Sequence, residues 1–504
     1  MYYPSQKEFL KFTAAGAKGN LVPVYKEILA DLETPVSAYF KLAQNSPYSF
    51  LLESVEGEEK VARYSFLARD PELLFESKNG TAKMVRFKDG QALTDNQSVT
   101  RTPLSFIRDL MAKYRLIPMP GLPRFCGGMV GYIGYDVVRF FEKLPVQTTD
   151  DLNLPDTFFV LAKNLVIFDH LNHKIKVVSC VEFDANSSQD EKIRNFEKAI
   201  SAIDGIISEL IKPWERRPSP QFKEEEIPVT SNVTEADFVG IVKEAKKKIK
   251  AGDIIQVVLS QRFQVSVKTN PFNIYRTLRA LNPSPYMYYL NFGDLQIVGS
   301  SPELLVRCED DVVETRPIAG TRPRGANEKK DAQLAKSLLN DSKEKAEHVM
   351  LVDLGRNDLG RVCQKGSVKV SEFMKIEKYS HVMHLVSNIT GTLERKKDSL
   401  DVLEACFPAG TVSGAPKIRA MEIIEDLEKV RRGPYAGAIG YFSFSGNLDT
   451  CITIRTIVVS KGKAYVQAGA GIVADSVPRK EYQETMNKAK AQMMAIKIAH
   501  TQIM

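Results

Sequence analysis

Short apolar runs in the first half of the chain indicate β-structure. The segments 158–168 (FFVLAKNLVIF) and 174–183 (KIKVVSCVEF) are rich in β-branched and aromatic residues and are bounded by turn residues, which predicts strands. The segment 196–211 (FEKAISAIDGIISELI) repeats its apolar residues with a helical period instead. The first half therefore predicts a mixture of helices and strands.

The second half combines closely spaced strands with long helices. The pattern predicts strands at 254–267, 286–292, 295–301, 451–459 and 464–473, and helices at about 331–354 and 477–501. An amphipathic helix near 238–250 has its apolar residues on one face and its lysines on the other. Because the strands come in runs and do not alternate strictly with helices, we expect an α+β fold with a largely antiparallel sheet.

A change of composition divides the chain. The stretch 212–232 (KPWERRPSPQFKEEEIPVTSN) has four prolines, many charges and few aliphatic residues, which is typical of a linker. We therefore predict an N-terminal domain at 1–211, a linker at 212–235 and a second domain at 236–504.

Composition narrows the class of protein. The 504 residues are 43% hydrophobic and 26% charged, which suits a globular chain with a large core. The 69 basic and 62 acidic residues leave a net charge of only +7, which implies no nucleic-acid partner. The sequence shows neither an apolar window of membrane-spanning length nor a secretory signal, so we expect a cytoplasmic protein without a membrane partner. Six isolated cysteines predict reduced, buried thiols.

Two pairs of glutamates suggest a metal site. Glu344 and Glu347, and likewise Glu481 and Glu484, are three residues apart in predicted helices, so the carboxylates of each pair lie on nearly one face. Two such pairs facing each other would offer oxygen ligands to magnesium. The same spacing fits surface glutamates paired with Lys343, Lys345, Lys480 or Lys488. The pattern alone leaves both interpretations open.

Three glycine-rich segments suggest an anion site. They are 317–325 (PIAGTRPRG), 407–417 (FPAGTVSGAPK) and 467–473 (QAGAGIV), whose backbone N–H groups could face an anion. Together with Arg455 in the predicted strand 451–459, they make a carboxylate-binding pocket a hypothesis. Each segment is also compatible with a structural turn, and His384, in an apolar stretch, is compatible with a hydrogen-bonded core residue.

Many motifs together resemble one family. PIAGTRPRG, AEHVMLVDLGRNDLGRV, HVMHLVSNITG, FPAGTVSGAPK, YAGAIGYF, DTCITIRT, QAGAGIVADS and EYQETMNKAKA occur in this order and cover almost all of 236–495. LLES (51–54), RYSF (63–66) and GGMVGYIGYDVVRFFE (127–142) extend the match into the first half. These strings resemble the chorismate-utilising enzymes, in particular the anthranilate synthase component I family. The resemblance implies an α+β sandwich of large, mostly antiparallel sheets with helices outside and two interleaved subdomains.

The resemblance also implies a reaction and roles for individual residues. The reaction is a magnesium-dependent lyase step, in which chorismate and ammonia give anthranilate and pyruvate at the start of tryptophan synthesis. Glu347 and Glu484 would hold Mg²⁺, with Glu344 and Glu481 supporting them. The substrate-binding residues would be Gly320, Thr321, Tyr435, Arg455, Gly469, Gly471 and Lys488. Glu303 would be the general acid for the C4 hydroxyl, and His384 the base at the elimination of pyruvate.

Two positions separate branches of this family. Gln256 stands where isochorismate and salicylate synthases carry a lysine that activates water, and glutamine cannot abstract a proton. Ala319 stands where aminodeoxychorismate synthases often carry a nucleophilic lysine. The resemblance therefore implies direct attack of ammonia on C2 of the ring.

The resemblance also implies where the ammonia comes from and how the enzyme is regulated. No cysteine lies in the G-x-C-x-G context of a glutaminase, so the resemblance implies a separate glutamine amidotransferase subunit and a hetero-oligomer. It also implies feedback inhibition by tryptophan, bound by Glu53, Ser54, Pro285, Tyr286, Met287 and Tyr441. Two alternatives remain open, namely component I of an aminodeoxychorismate synthase in folate synthesis and a non-catalytic paralogue that binds an amino acid.

Overall fold

The computed structural model describes residues 1–54, 63–88, 91–98, 102–213, 227–379 and 382–501. Over these ranges the strands are β1 (Tyr2–Tyr3), β2 (Leu21–Leu29), β3 (Tyr48–Glu53), β4 (Tyr64–Arg69), β5 (Leu73–Lys78), β6 (Thr81–Lys88), β7 (Gln91–Ser98), β8 (Gly128–Ile133), β9 (Thr157–Ala162), β10 (Asn164–Asp169), β11 (Lys174–Glu182), β12 (Thr230–Ser231), β13 (Gln256–Ser266), β14 (Tyr286–Phe292), β15 (Leu295–Ser301), β16 (Leu304–Glu309), β17 (Val312–Thr315), β18 (Ile318–Pro323), β19 (Lys369–Lys378), β20 (Val382–Thr392), β21 (Gly414–Ala415), β22 (Ala438–Ser443), β23 (Leu448–Ile452), β24 (Thr456–Ser460) and β25 (Lys463–Ile472). The α-helices are α1 (Gln6–Phe12), α2 (Pro35–Leu42), α3 (Pro103–Met111), α4 (Gln189–Leu210), α5 (Glu235–Lys250), α6 (Pro271–Leu281), α7 (Glu328–Asn340), α8 (Ser342–Gly360), α9 (Ser399–Cys406), α10 (Lys417–Leu427) and α11 (Pro478–Thr501). Short 3₁₀ turns lie at Tyr135–Phe140 and Gly410–Val412.

The strands form two large sheets. One has 13 strands in the order β1-β2-β11-β10-β4-β3-β14-β15-β24-β25-β13-β12, with β21 beside β13. The other has 12 strands in the order β18-β20-β17-β16-β23-β22-β8-β9-β5-β6-β7, with β19 beside β20. Neighbouring strands run antiparallel, as β13 does with β25 and β18 with β20. The α+β fold with antiparallel sheets is confirmed.

Strands from both halves of the chain share each sheet. β3 pairs with β14 in the first sheet, and β8 pairs with β22 in the second. This arrangement matches the expected interleaving of subdomains. The division into 1–211, 212–235 and 236–504 stays a prediction, and residues 214–226 of the linker lie outside the described residues.

The two sheets pack face to face over the main core. Phe50 and Ile297 of the first sheet lie in one apolar cluster with Val130 and Val306 of the second. A second cluster joins the outer face of the first sheet to helices α1, α2, α4, α6 and α11. Burial of these apolar faces is the main force that holds the sandwich and its outer helices together. All six cysteines are free and buried, as predicted.

The prediction of one helix over 331–354 is wrong, because Asp341 interrupts it. Asp341 has an extended backbone (φ −75°, ψ 110°), and its side chain accepts hydrogen bonds from the N–H groups of Lys343 and Glu344. It thus ends α7 and caps α8. The cap fixes where α8 begins and therefore which face of α8 carries Glu344 and Glu347.

The prediction of one strand over 451–459 is also wrong. β23 belongs to the second sheet and β24 to the first, so the chain crosses between the sheets at residues 453–455. Arg455 lies at this crossing with φ +53°, a conformation that is uncommon outside glycine. The crossing takes Arg455 out of regular strand structure and puts it beside α11, where its Nη1 contacts the Lys488 carbonyl.

Candidate active site

One cavity of about 600 Å³ is lined by both sheets. β13 and β25 contribute from the first sheet, β18 and β20 from the second, and α8 and α11 from the helices. The cavity is lined by every residue to which the resemblance gives a catalytic, substrate or metal role, namely Gln256, Glu303, Ala319, Gly320, Thr321, Glu344, Glu347, His384, Tyr435, Arg455, Gly469, Gly471, Glu481, Glu484 and Lys488. Positions up to 232 residues apart in sequence thus meet at one place, while their individual roles stay predictions.

The four glutamates form an acidic wall of this cavity. Glu347 Oε1 accepts a hydrogen bond from Gln256 Nε2 at 3.2 Å. Burial raises the pKa of Glu347, and the nearby charges of Glu344 and Glu484 raise it further. Burial also raises the pKa of Glu481, and Glu484 adds to the effect. Carboxylates crowded together in this way are stabilised by a cation.

The donor chemistry of this wall fits magnesium. Within the described ranges, no three His, Cys, Asp or Glu side chains converge closely enough to hold a metal by themselves. Magnesium does not need three, because it takes one or two carboxylates and completes its shell with water and substrate oxygens. Two ion pairs already touch the wall, since Lys488 Nζ lies 2.6 Å from Glu484 Oε1 and Arg322 Nη1 lies 3.2 Å from Glu344 Oε1. The sequence spacing also allowed glutamates paired with lysines. The structure contains one such ion pair, between Lys488 and Glu484, at the cavity wall.

Basic and hydroxyl groups line the same cavity. Arg455 Nη1 donates to the carbonyl of Lys488 at 2.7 Å, and Lys488 Nζ donates to the carbonyl of Gly469 at 3.0 Å. Burial lowers the pKa of Arg455, because a buried guanidinium lacks the water that would stabilise its charge. Burial raises the pKa of Tyr435 to about 12, so its hydroxyl is a neutral donor. A substrate carboxylate would offset the cost of burying Arg455.

Two glycines of β25 keep the cavity open. A Cβ at Gly469 would lie 2.7 Å from Tyr435 Oη, and a Cβ at Gly471 would lie 2.7 Å from Gln256 Nε2. Real Cβ atoms essentially never come this close to another heavy atom. Glycine at these positions therefore lets the strand backbone approach Tyr435 and Gln256.

Glu303 has the properties of a proton donor. It lies between β15 and β16, and only 8% of it is exposed. Burial raises its pKa to about 8, although the interaction with the Thr411 side chain and the positive charge of Lys488 offset part of the effect. Glu303 consequently carries its proton at neutral pH.

His384 has the properties of a base. Its Nδ1 lies 3.1 Å from the carbonyl oxygen of Gly320 and 3.0 Å from Thr321 Oγ1. Because a carbonyl only accepts hydrogen bonds, this contact assigns the proton to Nδ1 and leaves Nε2 as the basic nitrogen. Burial lowers the pKa of His384, so the ring is neutral at pH 7.

Sequence reasoning missed three polar residues of the cavity. Thr411, Gln467 and Gln492 line it; Gln467 and Gln492 each have a buried polar atom without a hydrogen-bond partner, and Thr411 interacts with Glu303. Two of them had a usable signal, because Gln467 shares a strand face with Gly469 and Gln492 lies four residues after Lys488 on α11.

A second, smaller cavity of about 70 Å³ brings together all six residues expected to bind tryptophan, namely Glu53, Ser54, Pro285, Tyr286, Met287 and Tyr441. Arg279 holds the carboxylate of Glu53 with two hydrogen bonds, of 2.9 and 3.1 Å. The hydroxyl of Ser54 has no partner and is an open polar group there. The volume admits about two water molecules. An amino acid with an indole ring would therefore require neighbouring side chains to move.

Comparison with known proteins identifies the family. The model of the chorismate binding enzymes matches residues 70–494. Anthranilate synthase component 1 of Acetivibrio thermocellus is 50% identical over 505 residues, which cover 99% of each chain. The same component of Aquifex aeolicus is 50% identical over 485 residues, covering 95% of each. The crystal structure of anthranilate synthase component I from Streptococcus pneumoniae TIGR4 has a TM-score of 0.73 at 39% identity, and the match covers 92% of this chain and 98% of that one. The chain therefore belongs to the chorismate-binding enzymes, in the group of anthranilate synthase component 1. Among the helices of the described ranges, none is both long and apolar enough to cross a membrane.

Proposed function

We propose that this chain is the catalytic large subunit of an anthranilate synthase, which converts chorismate and ammonia to anthranilate and pyruvate. One observation carries the proposal: a protonated carboxyl (Glu303), a neutral histidine (His384), a buried arginine (Arg455) and a set of carboxylates line a single cavity. Chorismate has two carboxylates, a hydroxyl that must leave and a ring proton that must be removed. The cavity offers a chemically matched group for each.

Chorismate would be bound by the basic and hydroxyl groups of the cavity and by its acidic wall. Arg455 and Tyr435 would hold the enolpyruvyl carboxylate, and Lys488 would add positive charge nearby. Glu347 and Glu484, supported by Glu344 and Glu481, would hold a magnesium ion. When bound, that ion supplies positive charge for the ring carboxylate.

The first step joins ammonia to C2 of the ring. As the C2–N bond forms, the two ring double bonds shift and the C4–O bond breaks. Glu303 gives its proton to the departing hydroxyl, which leaves as water. The ammonium group formed at C2 then loses one proton, which replaces the proton that Glu303 gave. Gln256 and Ala319 provide neither a base nor a nucleophile, so ammonia is the attacking group.

The second step makes the ring aromatic. Nε2 of His384 takes the proton from C2, and the enolpyruvyl oxygen leaves C3. The released enolpyruvate gains a proton and becomes pyruvate, and the ring becomes anthranilate. This sequence balances the atoms of chorismate and ammonia against anthranilate, pyruvate and water.

The ammonia would come from a separate glutamine amidotransferase subunit. Two observations support this part of the proposal. The relatives carry the designation component 1, and this chain has no cysteine in a glutaminase context. Tryptophan would bind at the smaller cavity and inhibit the enzyme, which is supported by the position of Ser54 and Tyr286 on its wall.

Product fluorescence tests the proposal. The purified chain is incubated with chorismate, ammonium and magnesium, and anthranilate is followed by its fluorescence. We expect fluorescence from the wild type and from Arg479→Met, whose side chain is 85% exposed on α11, and none above background from Arg455→Met. A chorismate-consuming wild type that forms no anthranilate would contradict the proposal.

A further inference from the structure

A buried amide in the main cavity has no partner. Gln492 on α11 is 0% exposed, and neither its Nε2 nor its Oε1 makes a hydrogen bond. The other two glutamines of the cavity differ, because Gln256 Nε2 donates to Glu347 and Gln467 Nε2 donates to Ser260 at 2.9 Å. In Gln256 and Gln467, only Oε1 is without a hydrogen-bond partner. A buried amide without hydrogen-bond partners costs free energy, so Gln492 indicates a ligand that supplies a partner for it.

Helix geometry puts this amide on the part of α11 that Arg455 contacts. The carbonyl of Lys488, which accepts from Arg455 Nη1 at 2.7 Å, is also the helical acceptor for the N–H of Gln492 four residues later. Side chains on a helix lean towards its N-terminus, so the side chain of Gln492 lies over the turn that Arg455 contacts. Both residues line the same cavity. A guanidinium and a primary amide, both hydrogen-bond donors, thus line one cavity near the same turn of α11.

We propose that Gln492 is a further substrate-binding residue, whose Nε2 donates a hydrogen bond to the carboxylate that Arg455 holds. The inference rests on the proposed function, because it adds a contact to the same substrate. A neutral amide suits the place, since it donates to an anion without requiring a second negative charge.

A purely structural role explains Gln492 less well. Its neighbours on the buried face of α11 include Ala489, Ala495 and Ile496, which are apolar. In such surroundings an apolar side chain of the same length would pack without leaving polar atoms unpaired. The amide therefore stabilises the folded chain poorly and has to be explained by what enters the cavity.

Two substitutions test the proposal. Gln492→Met keeps the length of the side chain and removes the amide. We expect the KM for chorismate to rise about tenfold or more, because a hydrogen bond to a charged group is lost. The KM for ammonium should stay unchanged, and the temperature of unfolding should be unchanged or higher. Gln492→Glu keeps the shape but repels the substrate, so its KM should rise further still.

The control is Gln483→Met on the same helix, where the wild-type side chain is exposed and donates to Asn487 at 3.2 Å. It should leave the KM for chorismate unchanged. Calorimetric titration of each protein with chorismate and magnesium measures the affinity without turnover. Wild-type affinity in Gln492→Met would overturn the inference, whereas a tenfold loss of affinity supports it. Failure of the wild type to form anthranilate would overturn the proposed function instead, so the two failures are distinguishable.

Discussion

The raised pKa of Glu303 predicts that both the free energy of unfolding and the catalytic rate change with pH. The substitution Glu303→Gln keeps the shape of the side chain and removes its titration. In the wild type, burial raises the pKa from an ordinary 4.5 to about 8, so the folded state binds this proton more tightly than the unfolded state does. The resulting stability is fully present below about pH 4.5 and is lost as the pH rises through 8.

The interval between the two pKa values sets the size of the effect. At 1.36 kcal/mol for each pH unit, the whole interval corresponds to roughly 5 kcal/mol. Of this contribution to the free energy of unfolding, roughly 3 kcal/mol is lost between pH 6 and pH 9. Because only 8% of Glu303 is exposed, solvent screening does little to reduce this figure. The wild type should therefore lose about 3 kcal/mol more than Glu303→Gln over this range.

Urea unfolding of both proteins at pH 6 and pH 9 measures this difference. In parallel, kcat/KM for chorismate is measured against pH with the concentration of free ammonia held constant. The wild-type value should fall above about pH 8, and the variant should be slower by about 10²- to 10⁴-fold throughout, as for the loss of a general acid. An equal change of stability in both proteins, or a variant with wild-type activity, would refute the assignment of Glu303 as the buried proton donor.

Three further substitutions test other parts of the site. Glu347→Gln should reduce anthranilate formation to background while circular dichroism and the unfolding midpoint stay near those of the wild type, because it keeps the shape of the side chain but removes a carboxylate that we propose holds magnesium; full activity would contradict the metal assignment. Gly469→Ala should raise the KM for chorismate and lower stability by about 1–3 kcal/mol, because the new Cβ would lie 2.7 Å from Tyr435 Oη; wild-type kinetics would show that the close approach is unimportant. Arg432→Leu should cost about 3–5 kcal/mol in urea unfolding, because it removes the ion-pair partner of the buried Glu428, whose Oε1 lies 2.6 Å from Arg432 Nη2 in the wild type, and leaves this carboxylate with hydrogen bonds from Ser260; a cost below about 1 kcal/mol would contradict this.

Local patterns predicted the elements, and motifs predicted the site residues. The runs in β13 and β14 were readable as strands because they are rich in valine or aromatic residues, which suits strands that are largely buried. The glutamate pairs were readable because spacing on a helix determines the face. These features depend only on neighbours in sequence.

Features that depend on distant contacts could not be predicted. The apolar run 451–459 has the composition of one strand, but it divides between two sheets at Arg455, whose positive φ is imposed by the crossing. The pairing of β3 with β14 joins residues more than 200 positions apart, and no local pattern specifies it. The raised pKa of Glu303 comes from burial, so it appears only in the folded chain.

The identity of the aminated product tests the central claim most directly. The chain is incubated with chorismate, magnesium and ¹⁵N-labelled ammonium, and the products are separated and quantified by mass spectrometry. Addition of ammonia at C2 with loss of the enolpyruvyl group predicts ¹⁵N-anthranilate and pyruvate in equal amounts. A labelled product that retains the enolpyruvyl group and carries nitrogen at C4, with no pyruvate released, would contradict it.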